Sequence, residues 1–166
     1  MNKYCLLVTL SLIAFCPTTS FSSEADIGGH VTEVSINAGT PDAVSVSVTT
    51  VGTPKNYVYE KAFMWGGDEG ISPKRIIETI NVVKNKQRFF IPLSAYADLG
   101  NPMHISLEAL SAHRFRLVIV GGDAAGAYKA SLEFKNYEIS RRKVVSGEFP
   151  KEVWEETRFS FNHLNN

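Results

Sequence analysis

The chain has 166 residues, of which 44% are hydrophobic and 20% charged, and its 17 Lys and Arg balance 17 Asp and Glu. That composition excludes intrinsic disorder, collagen, a long coiled coil and a disulfide-built miniprotein, and the length suits one domain. A domain of this size buries about two thirds of the surface its unfolded chain exposes, so its core can hold it together without metal or disulfide.

The first residues read MNKYCLLVTLSLIAFCPTTSFSSEAD: one positive charge at Lys3, an apolar run from Tyr4 to Phe15, then small and polar residues. This is the three-part pattern of a secretory signal peptide. The run is shorter than the ~20 residues a membrane-spanning helix needs, and no charged stop-transfer flank follows it. Small residues permit cleavage after Ser22 or after Ala25, so 1–22 is expected to be the signal and 23–166 the mature domain. A lipoprotein anchored through Cys16 is the competing outcome, although bulky Phe15 stands where such signals carry a small residue. Cleavage after Ser22 discards both Cys5 and Cys16, and with them disulfides, thiolate catalysis and Cys-based zinc sites. A cysteine-free mature chain without an Asn-x-Ser/Thr sequon points to export into a bacterial periplasm or beyond.

From residue 30 onward the dominant signal is alternation of apolar and polar residues, the mark of half-buried strands. Strands are expected over Val31 to Ile36, over the Val44, Val46, Val48 run, and over Tyr57 to Trp65. The segment Ile76 to Val83 fits two conformations. Ile76, Ile77, Ile80 and Val83 could form a helical face capped by Ser72 and Pro73, giving one short helix near 73–83. The same residues also suit a hairpin turning at Asn85 to Gln87 and returning through Phe89 to Ile91, and the β character of every neighbour favours the hairpin. Ser94 to Leu99 is long enough for one helical turn. Further strands are expected over His104 to Leu110, Phe115 to Val120, Tyr128 to Phe134, Tyr137 to Val145 and Glu155 to Phe161, with Gly, Pro and Asn at the joints. The set of nine or ten predicts an all-β, single-domain antiparallel β-sandwich.

Charge is uneven along the chain. Residues 23–70 carry two Lys against seven acids, and residues 71–166 carry fourteen Lys and Arg against ten acids, so the mature chain is expected at −1. The densest basic run, Arg141 to Lys143, is too short for a nucleic-acid patch, and no nucleic-acid partner is expected.

Two loops share the letters GGD, at Gly66, Gly67, Asp68 and at Gly121, Gly122, Asp123, each after an apolar strand. Tight reversal is what glycines there provide first, and the aspartates add two carboxylates able to meet a polar ligand. Calcium would need six to eight oxygen ligands, more than these loops supply, so neither metal nor cofactor is expected. Tyr57, Tyr59, Phe63 and Trp65 alternate onto one face, either as core or as an exposed stripe for stacking on sugars or anchoring a protein. His30, His104, His113 and His163 form no metal-ligand spacing, no serine sits in a nucleophile motif, and Glu155 and Glu156 on one strand would face opposite ways.

The expected function is therefore that of an exported, non-enzymatic binding protein. Its partner would be an envelope protein, as for an inhibitor or immunity factor, or a glycan, at Tyr57, Tyr59, Trp65, Asp68 and Asp123. The alternatives are a small envelope hydrolase built from the GGD loops with His104 or His113, and a structural subunit with an apolar edge strand open to a neighbour.

Overall fold

The computed structural model describes residues 22–56, 64–67, 72–111 and 113–161. The expected signal sequence up to residue 21, and Tyr57, Tyr59, Phe63 and Asp68, lie outside the described residues.

Ten strands among the described residues form two antiparallel sheets, an all-β sandwich. They are β1 (Ser22–Asp26), β2 (Val31–Ile36), β3 (Val44–Gly52), β4 (Arg75–Lys84), β5 (Gln87–Arg88), β6 (Pro102–Ser111), β7 (Arg114–Gly121), β8 (Tyr128–Lys135), β9 (Glu138–Ser146) and β10 (Val153–Arg158). One sheet runs β1-β6-β7-β8-β9-β10 and the other β2-β3-β4-β5. Each is a meander of consecutive hairpins, and β1 alone crosses from the first meander's turn order to pair with β6. No helix among the described residues is long and apolar enough to cross a membrane.

The alternation read from the sequence is what builds the core. Val44, Val46 and Val48 of β3 and Ile105, Leu107, Leu117, Ile119, Ala130 and Leu132 of the larger sheet are buried between the layers. An aromatic cluster closes one end: Phe115 stacks on Phe134 at 4.7 Å, and Phe89 meets both rings edge-on.

The segment that fitted both helix and hairpin is the hairpin β4–β5, reversed by Asn85 and Lys86 with φ of 52° and 63°. These two left-handed residues make the two-residue turn whose twist matches antiparallel strands. The short helix near 73–83 does not form, and the reason it fitted is visible in the register. Thr49 pairs with Thr79 and Thr50 with Ile77, so Glu78 is skipped as a bulge. A bulge shifts the alternation by one residue, and the Ile77 to Ile80 interval of three then mimics helical spacing.

Two further bulges decide what faces inward on β9 and β10. Glu133 pairs with Arg141 and Phe134 with Ile139, so Ser140 is skipped and Arg142 takes the inner face with Ile139 and Val144. Val153 pairs with Val145 and Glu155 with Val144, so Trp154 is the skipped residue on the edge strand.

Candidate functional site

The site is built where the β9–β10 margin of the larger sheet is covered by residues 93–99 and by Trp65. Leu93–Ala95 make a single 3-10 turn, and buried Ala95, Tyr96 and Leu99 fasten the segment to the core. Its free polar groups are thereby aimed at β9. Trp65 is threaded alongside: its backbone N–H donates to the Asp98 carbonyl at 2.8 Å, and its carbonyl accepts from the Gly100 N–H at 2.9 Å.

At the centre is Arg142, only 2% exposed. Its Nη1 donates to the Ser94 carbonyl at 2.8 Å, and its Nη2 lies 2.5 Å from Asp98 Oδ2 and 3.2 Å from Glu155 Oε2. A guanidinium taken out of water needs such partners, because burying a charge unpaired costs several kcal/mol on the order of 3–5. Glu155 also accepts from the Thr157 hydroxyl at 2.8 Å and from Trp65 Nε1 at 3.4 Å. Asp98 is held above its ordinary range by burial, which outweighs the Arg142 guanidinium beside it. Tyr128, completely buried, has its hydroxyl pushed far up by burial, with the Asp98 charge adding to the effect. Three buried polar atoms of this cluster lack a hydrogen-bond partner: Asp98 Oδ1, Arg142 Nε and the Tyr128 hydroxyl.

Outside this polar centre the two tryptophans form a platform. Trp65 and Trp154 stack with ring centroids 5.3 Å apart and planes 23° from parallel, and both are half-buried. The bulge at Trp154 is what permits this, since in a regular strand Trp154 and Glu155 would point to opposite faces. Here both approach Trp65. Glu152 accepts from Trp154 Nε1 at 3.2 Å and adds a carboxylate at the rim.

Of the residues expected at a binding site, Trp65 stands in this platform and Asp123 lies exposed in the loop after β7. Tyr57, Tyr59 and Asp68 fall outside the described residues. The two GGD loops meet: a Cβ on Gly122 would stand 2.8 Å from the Gly66 Cα, and one on Gly126 2.7 Å from the Gly67 carbonyl oxygen. Asn101 fastens them, its Nδ2 donating to the Gly66 carbonyl at 2.8 Å and its own carbonyl accepting from the Gly122 N–H. The histidines disperse. His104 is taken by Asp26 at 2.9 Å and Glu24 at 3.6 Å on the neighbouring strand, while His113 lies in the β6–β7 turn at the opposite end.

Trp154, Glu155, Arg142 and Asp98 were not expected as a group. Glu155 and Glu156 do face opposite ways, onto Arg142 and Arg141 respectively, as strand geometry requires. The basic run is thus divided between a buried residue and a surface ion pair. For these four residues the sequence signal that could have pointed to them is Trp154 among acids at the start of the last strand. Comparison with protein-family models, curated proteins and solved structures found no match for this chain.

Proposed function

We propose that the chain is an exported, non-enzymatic β-sandwich that binds a glycan of the cell envelope on the Trp65–Trp154 platform. The observation that carries this reading is the stacked, half-exposed tryptophan pair backed by a buried guanidinium–carboxylate network. Indole faces pack on the C–H faces of sugar rings, and the flanking carboxylates of Glu152 and Glu155 supply acceptors for hydroxyl groups. The same network argues against hydrolysis by the Asp98 and Glu155 pair, because Arg142 Nη2 occupies the space between them where a glycosidic bond and water would have to fit.

Export fits the strand that begins the described fold. Cleavage after Ser22 leaves Ser23–Asp26 paired with β6, whereas cleavage after Ala25 would strip most of β1, so Ser22 is the site this reading adopts. A protein partner is the second reading, favoured by exposed Phe149 in the β9–β10 connection and exposed Val153 at the start of β10, beside the platform. The structural-subunit reading has less support, because the outer strands β1, β2 and β10 carry Glu24, Asp26, Glu33, Glu156 and Arg158, and β5 is two residues long; charges and brevity discourage edge pairing.

The test is tryptophan emission of residues 23–166 titrated with cello- and chito-oligosaccharides. A saturable change is expected, and Trp154→Ala should weaken binding at least about tenfold, the loss of roughly 1.4 kcal/mol of stacking. No response from any sugar at about millimolar concentration, together with capture of one envelope protein whose binding needs Trp154, would replace the glycan by the protein reading.

A further inference from the structure

The end of the sandwich opposite the GGD loops holds a cavity of about 280 Å³, lined by Lys84, Phe89, His113, Phe115, Asn136 and Tyr137. Turns from three separate hairpins build it: β4–β5, β6–β7 and β8–β9. Its floor is the aromatic cluster of buried Phe89 and Phe115, with Tyr137 tilted against Phe89 at 5.5 Å. Asn136 and Tyr137 turn the β8–β9 hairpin with φ of 51° and 68°. Asn enters that region readily, but a bulky aromatic there is strained, and Gly or Asn is the usual choice. The contact of the Tyr137 ring with Phe89 and the bond that Asn85 Nδ2 donates to its hydroxyl at 3.3 Å offset that strain. Lys84 brings the charge. Its side chain is 8% exposed, and its Nζ lies 3.4 Å from Asp42, which is itself 59% exposed.

A concave, mainly aromatic cavity with a few convergent polar groups is the general form of a small-molecule site. The excess of cations at this end sets the sign of the ligand: besides Lys84, which is paired with Asp42, the residues around these turns include Lys86, Arg114 and Lys135, against Glu138 and the Glu133 that meets Arg114. We propose that this cavity is a second binding site, independent of the tryptophan platform, for a small amphipathic carboxylate. Its aryl or alkyl body lies against Phe89, Phe115 and Tyr137, and its carboxylate pairs with Lys84 beside the Asn136 amide. The size admits one ring or a medium alkyl chain.

The experiment records amide chemical shifts of the folded protein during titration with 4-phenylbutyrate and octanoate, and with the corresponding neutral amides. The carboxylates are expected to bind with Kd of about 0.1–1 mM, as suits ligands of this size, shifting Phe115, Asn136 and Tyr137. Each amide should bind about tenfold more weakly. Lys84→Met should abolish that discrimination. Asp42→Asn, an exposed change that removes a like charge, should tighten the carboxylates about threefold and leave the amides alone. Equal binding of acid and amide, no binding up to about 10 mM, or shifts confined to the Trp154 end would overturn the proposal. If Lys84→Met does not fold, an unchanged acid-to-amide ratio in Asp42→Asn overturns it equally. None of these outcomes bears on the glycan reading.

Discussion

Gly66→Ala is expected to lower the thermal midpoint by about 10 °C, corresponding to a loss of roughly 3 kcal/mol in a domain of this length. Two effects add. Gly66 has φ of 77°, a conformation that an L side chain adopts only with strain. Its new methyl would also stand 2.2 Å from the Gly100 carbonyl oxygen and 2.7 Å from Tyr128 Cε1. Neither neighbour can give way: the Gly100 N–H is bonded to the Trp65 carbonyl, and Tyr128 is wholly enclosed. Gly39 provides the control. It has φ of 80° but open space around it, so Gly39→Ala should cost only about 1 kcal/mol of backbone strain. Thermal melts of both variants followed by far-ultraviolet circular dichroism make the comparison. Equal losses would mean that the close approach of Gly66 to Gly100 and Tyr128 contributes nothing beyond torsional preference.

Arg142→Met should cost about 3–5 kcal/mol at pH 7, because it leaves Asp98 and Glu155 partly buried without their cation. The loss should shrink as the solution is acidified, and the sign follows from Asp98. Its folded pKa already lies above the ordinary 3.8 through burial, with Arg142 pulling the other way. A carboxyl whose folded value is raised favours the fold when protonated. That contribution is complete below the unfolded value and is lost as pH rises through the folded one. Removing Arg142 raises Asp98 further, so the variant regains stability over a wider acid range than the parent. Urea unfolding at neutral pH and just above the unfolded carboxyl range should show the two proteins converging. A gap that stays constant with pH would exclude Asp98 as the group left unpaired. Asp98→Asn should cost far less at neutral pH, since Glu155 still holds the guanidinium and a desolvated charge has been removed.

The sandwich was legible because alternation survives in most strands: Val44, Val46 and Val48 announced β3, and Tyr128 to Phe134 announced β8. What the sequence concealed were the phase shifts. One residue inserted at Glu78 made a strand resemble a helix. One at Ser140 turned Arg142 inward and left Arg141 outside, and nothing in the run Arg141, Arg142, Lys143 distinguishes these fates. A third at Trp154 put an indole and a carboxylate on the same side of one strand. A bulge is chosen by the packing of both sheets, so local composition does not reveal it. The candidate site depends on two of these shifts, so Trp65 could be singled out from local alternation whereas Arg142 and Trp154 could not. The glycines were foreseen as turn formers, but the approach of Gly66 to Gly122 joins residues from different hairpins and leaves no local mark.

The uneven connectivity of the larger sheet sets an order of assembly. Strands β6 to β10 are successive hairpins, each closed by a short connection, so this half can form through contacts near in sequence. Strand β1 is different: Asp26 and His104, its cross-strand pair, are 78 residues apart. Closing so long a loop is entropically the dearer step, and only five residues with partial burial are gained by it. The margin beside β6 should therefore be completed last during folding and open first in the native protein. Amide hydrogens of Ser23 to Asp26 should exchange with solvent ahead of those in β7 and β8, and β1 would be the place where unfolding begins.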